Sequence, residues 1–196
     1  MIDLVRYTEN LTGKEVKTCE GRWHQTDHWV VVHKEDGRMD LEGLFHELAH
    51  WIVAMETERK APNLMLTDLG MEMYHPGRGE SIIPRVVDLD RSIRREKQAI
   101  FLQCWVFGQT ARFSPSDVFR FAFVSHSHTP EGWYGELGKR VRAARKGVVR
   151  SRMQKVGVQL EELVQMVEED GEVVELVNDD GNSYLRWLGG IGDDED

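Results

Sequence analysis

His46-Glu47-Leu48-Ala49-His50 constrains this chain more than any other five residues. On a helix, side chains four apart stand one above the other at roughly 5–6 Å between Cβ atoms. Both imidazoles then reach a single point, with the Glu47 carboxylate beside them. That geometry suits a Zn²⁺ ion and metal-assisted hydrolysis. Chance is a poor source for it: with 8 His and 20 Glu among 196 residues, random placement gives about 0.03 such motifs.

The flanking residues predict the helix that this geometry needs. Leu41, Leu44, Phe45, Leu48, Ile52 and Met55 share one face, the i, i+3, i+4, i+7 pattern of a helix packed on a core. The histidines face the other way. There Gly43, Val53, Ala54 and Thr57 stand where a solvated face would carry Lys, Glu or Arg, so that side reads as the floor of a covered cleft. Asp40 suits the N-cap, and Glu42 lies in the first turn, where the helix dipole favours negative charge.

A zinc site of this kind needs a third protein ligand. In the helical segment from Asp90 to Phe107, Glu96 projects onto the stripe of Ile93, Ala99, Ile100 and Phe107, while Arg91, Arg94 and Gln98 lie opposite. A carboxylate on an apolar stripe must find a partner, because an isolated buried charge costs several kcal/mol. A zinc ion is one such partner and a neighbouring arginine is the other. His75, in the turn Tyr74-His75-Pro76-Gly77, is the rival ligand and would give three imidazoles. Glu96 is preferred.

HELAHW over residues 46 to 51, with a later helix that starts with Glu96 and continues through Ala99 and Phe101, resembles the gluzincin pattern, in particular the small cytoplasmic ImmA/IrrE-type metallopeptidases. The resemblance spans residues 28 to 110. It implies a zincin-like fold, zinc held by His46, His50 and Glu96, Glu47 as general base, and cleavage of repressor-like or antitoxin-like protein partners. Gln98 stands where that family usually has an acid, and Phe107-Gly108-Gln109 replaces its Met-Pro helix ending. Other HExxH enzymes fit less well. A deformylase needs a Glu-Gly-Cys context, whereas this chain has Cys19-Glu20-Gly21, and the third histidine of metzincins is missing.

Bulk properties are compatible with an intracellular enzyme. A chain of 196 residues with 40% hydrophobic content suffices for one main domain. The net charge of −9 argues against a whole-protein preference for nucleic acid. The start, Met1-Ile2-Asp3-Leu4-Val5-Arg6, lacks the pattern of a secretory signal, and no run approaches the roughly 18 apolar residues of a membrane span. Cys19 and Cys104, far apart in sequence, suggest thiols in a reducing compartment. A cytoplasmic location is expected.

The predicted architecture is α+β: a zincin-like domain over residues 1–130, a helical and hairpin extension over 131–190, and an acidic tail over 191–196. Residues 1 to 27 show weak periodicity, with a turn at Thr12-Gly13. Trp29-Val30-Val31-Val32-His33 reads as a strand, and Val30 to Val32 as the edge on which an extended substrate lies. His24, His28 and His33 read as surface or strand-packing residues. Residues 60–88 are rich in Pro and Gly and read as a long loop or cleft wall. Ser114 and Pro115 open a further helix. His126, His128, Tyr74 and Tyr134 are candidates for holding a developing oxyanion. Eight basic residues stand between Lys139 and Lys155 with no acid among them; they make a solvated helical face, or else a contact for nucleic acid or an acidic protein. Leu160 to Val167 reads as a continuation of that helix. Asn178-Asp179-Asp180-Gly181-Asn182 then signals a hairpin between two short strands.

Overall fold

The most apolar strand of a small mixed sheet takes its centre. Trp29–Glu35 (β3) pairs in parallel with Glu15–Cys19 (β1), Val16 opposite Val30. On its other side it pairs antiparallel with His24–Gln25 (β2), His24 opposite Val31. Arg38–Met39 (β4) returns antiparallel from its end, past Gly37 at φ 71°. The segment Val30 to Val32 is therefore an interior strand, not the open edge expected for substrate. A run of valines gains most where neighbours cover it on both sides, and Val30 and Val32 are buried. The computed structural model describes residues 3–19, 24–25, 29–35, 37–59, 89–114, 117–118, 136–177, 181 and 183–189.

Six helices are described with the sheet: Leu4–Thr12 (α1), Leu41–Val53 (α2), Glu56–Arg59 (α3), Leu89–Phe107 (α4), Glu136–Lys155 (α5) and Leu160–Glu169 (α6). Helix α1 falls in the stretch of weak periodicity. It forms because Asp3 caps its start, accepting from Arg6 N, and Gly13 closes its end at φ 70°. The basic run lies in α5, which buries Val149 and Met153 and leaves Lys146 and Arg150 exposed. Their cations sit 4.9 and 5.7 Å from the Trp105 ring centroid on α4. Gly157 at φ 74° separates α5 from α6, so Leu160 begins a new helix and does not continue the old one.

The expected hairpin is present as Glu172–Val177 (β5) and Ser183–Leu188 (β6), paired antiparallel. It is fastened to α2 and β4. Trp187 joins Phe45, Phe107 and Phe113 in one buried aromatic cluster. Gly189 N donates to Met39 O, and Asp40 bridges to Leu188. Gly171 marks the closest approach: with φ 58°, a Cβ there would fall 2.5 Å from both the Leu188 carbonyl oxygen and Leu41 Cδ1, so only glycine fits. Asp170 ties in the chain's beginning, its Oδ2 accepting from Leu4 N at 2.8 Å. Helices packed with a small sheet make the fold α+β. Among the described residues, no helix is long and apolar enough to cross a membrane.

Candidate metal centre

Helix α2 is buried almost all round, because its two faces meet different neighbours. Leu41, Leu44, Phe45, Leu48 and Ile52 belong to the hydrophobic core. The face bearing Glu42, His46, Glu47 and His50 is buried as well. Both ends of the helix are closed. Asp40 Oδ1 accepts from Gly43 N at 3.0 Å, as the sequence predicts. At the other end Arg59 donates to the carbonyls of Trp51, Ile52 and Ala54 at 2.9, 3.3 and 2.8 Å, and its guanidinium lies 4.5 Å from the Trp51 ring centroid. Those carbonyls have no amide partner within the helix.

The two histidines converge. His46 Nε2 and His50 Nε2 are 3.0 Å apart, with their rings nearly perpendicular. Two Zn–N bonds of about 2.0–2.1 Å at a tetrahedral angle hold their nitrogens about 3.3 Å apart. An opening of a few tenths of an ångström would thus admit the ion, and the donor pair fits a zinc site. His46, Glu47 and His50 are 4, 1 and 4% exposed, so a water-poor surrounding would strengthen any charge interaction there.

The other nitrogen of His46 is engaged from α4: its Nδ1 lies 3.1 Å from Gln103 Oε1, and Gln103 is 3% exposed. Gln103 was not singled out from the sequence, although it stands four residues from both Ala99 and Phe107 on the stripe that carries Glu96. A second tie joins the same region. Arg95 donates to Glu58 on α3 through Nε at 3.0 Å and Nη2 at 3.2 Å, and to Gln98 through Nη1 at 2.9 Å. With His46 against Gln103 and Glu58 against Arg95, α4 runs opposite to α2. Glu96 lies between these two ties, on the stretch of α4 that accompanies the later half of α2. Its side chain lies outside the described residues. Arg95, the arginine immediately before it, is already matched to Glu58.

Glu42 extends the polar stripe by one turn. It meets Arg186 of β6 at 3.5 Å, and burial pushes its carboxyl up to about 8 despite that guanidinium. Burial also pushes the Cys104 thiol up to about 12. Its Sγ lies 3.7 Å from Val118 O, and a raised thiol pKa lowers the thiolate fraction on which cysteine reactivity depends.

His75, His28, Tyr74, His126, His128 and Tyr134 lie outside the described residues, as do the side chains of His24 and His33. The loop-rich stretch 60–88 and most of the segment opened by Ser114 and Pro115 fall there too. Among the described residues, no three His, Cys, Asp or Glu side chains converge on one metal position. No family model, curated protein or solved structure matches this chain.

Proposed function

We propose that this chain is a zinc metallopeptidase of zincin-like architecture, resembling the ImmA/IrrE-type gluzincins, which cleaves a peptide bond in a specific protein partner in the cytoplasm. The observation that carries the reading is the convergence of two imidazole nitrogens at 3.0 Å with Glu47 adjacent on the same buried helix. His46, His50 and Glu96 would hold the ion. Zinc in such a site supplies Lewis acidity, which acidifies water and polarises a carbonyl. Glu47 would accept the proton of the attacking water and return it to the leaving amine. A purely structural two-histidine site has no use for that carboxylate.

Metal content tests this directly. Purified wild-type chain should carry about one zinc per chain by elemental analysis, and His46→Ala or His50→Ala should reduce that to background. Full occupancy in both variants would move the metal elsewhere. For the third ligand, Glu96→Gln is expected to weaken zinc affinity far more than His75→Ala, since a neutral amide replaces an anionic oxygen poorly. The opposite ranking would make the site one of three imidazoles and remove the gluzincin reading.

One observation favours a second reading, a zinc-stabilised regulatory or binding protein without catalysis. His46, Glu47 and His50 are nearly inaccessible at 4, 1 and 4% exposure, and a peptide must reach them to be cut. In that reading the exposed cations of α5 are the natural contact surface, for nucleic acid or for an acidic protein.

A further inference from the structure

We propose that Gln103 is a positioning residue that selects the metal-ready tautomer of His46. The inference rests on the metal reading above, and it concerns which imidazole nitrogen of His46 carries the proton and which presents its lone pair. Gln103 Oε1, 3.1 Å from His46 Nδ1, can only accept a hydrogen bond. Nδ1 must then carry the proton, and His46 Nε2 presents its lone pair. At 3.0 Å from it, His50 Nε2 is the donor in the metal-free chain. A directed relay results, from His50 Nε2–H to His46 Nε2 and from His46 Nδ1–H to the Gln103 carbonyl oxygen. Because imidazole and amide are 4 and 3% exposed, water offers little competition for either bond. For a metal ion to take the place between the two Nε2 atoms, the His50 proton must pass from Nε2 to Nδ1, the neutral tautomer that binds through Nε2, while the His46 Nδ1–H bond to Gln103 stays as it is.

Gln103 differs in one respect from the carboxylate that often supports a metal-bound histidine. A carboxylate can only accept, whereas an amide turned end over end would donate to Nδ1 and force the proton onto His46 Nε2, closing the site. The Oε1-inward orientation is thus a chemical statement with a measurable consequence. It also gives Gln103, two turns beyond Glu96 on the same helix, a part in setting the centre without touching the ion.

Long-range ¹H–¹⁵N correlation of the imidazoles in the metal-free full chain, with His46 assigned by its loss in His46→Ala, reads the tautomer directly. Wild type should show His46 as Nδ1–H. Gln103→Leu should lose that preference and weaken zinc binding about 10- to 100-fold. Gln103→Glu, which keeps an acceptor, should retain Nδ1–H and bind zinc within a few-fold of wild type or more tightly. An Nε2–H His46 in wild type, or the same Nδ1–H preference in Gln103→Leu, overturns the proposal. A wild-type chain that fails to bind zinc overturns the metallopeptidase reading instead, and an Nδ1–H His46 that reverts in Gln103→Leu still upholds this one. The wild-type spectrum and Gln103→Glu decide the matter even where Gln103→Leu does not fold.

Discussion

Glu47→Gln is expected to lower peptide hydrolysis by roughly 10²- to 10⁴-fold, about 3–5 kcal/mol of barrier, while zinc content and thermal stability stay near wild type. The substitution changes one atom's chemistry at a position 1% exposed, so packing is preserved. What is lost is the proton acceptor. The affected step would therefore be chemistry, with kcat falling and substrate affinity little changed. The inactive variant also supplies the missing assay, because it should retain a partner that wild type releases as fragments. Partners captured on Glu47→Gln and then exposed to zinc-loaded wild type should be cut at one site. If they stay intact, or if Glu47→Gln cuts them equally well, the zinc-stabilised binding protein replaces the peptidase.

Local signals made part of this molecule legible. The cap at Asp40, the helical spacing through Ile52 and the turn before Tyr184 are short-range features, and the structure contains the helix and the hairpin they predict. Helix α1 escaped notice although Asp3 and Gly13 were present as start and stop. Leu4 and Thr8 are buried, and Val5, Tyr7 and Leu11 pack half-buried against the core. Leu4, Tyr7, Thr8 and Leu11 keep the i, i+3, i+4, i+7 spacing, but over nine residues with a polar Thr8 on that face the apolar signal is short and weak. The expected open edge at Val30 to Val32 fails for another reason: an apolar strand announces burial, but its cover on both sides comes from β1 and β2, both earlier in the chain and without a strong strand pattern of their own. Gln103 shows the same limit at the site. Its stripe on α4 was readable, yet its hydrogen bond spans 57 residues to His46. Only the opposed packing of α2 and α4 brings the two together.

Trp187→Ala is expected to cost about 3–5 kcal/mol of stability, which for a chain of this size lowers Tm by roughly 6–20 °C. The indole is fully buried. It lies 6.3 Å from the Phe45 ring and 5.8 Å from that of Phe107, centroid to centroid, and its Nε1 donates to Asp170 O at 2.8 Å. Removing it opens a cavity between the hairpin and two helices that the interior cannot fully close. Trp187→Phe should cost much less, because the ring contacts are largely kept and Arg112 Nη1 still donates to the same carbonyl at 2.6 Å. A functional consequence follows from position. Phe45 precedes His46 on α2, and Arg186, the residue before Trp187, holds Glu42 one turn ahead of that histidine. Loosening β6 should therefore weaken zinc binding along with stability. Denaturant unfolding with and without zinc measures both: the metal's stabilising increment, RT ln(1 + [L]/Kd), should be smaller in Trp187→Ala than in wild type. An unchanged increment would mean that the hairpin supports the core without supporting the site.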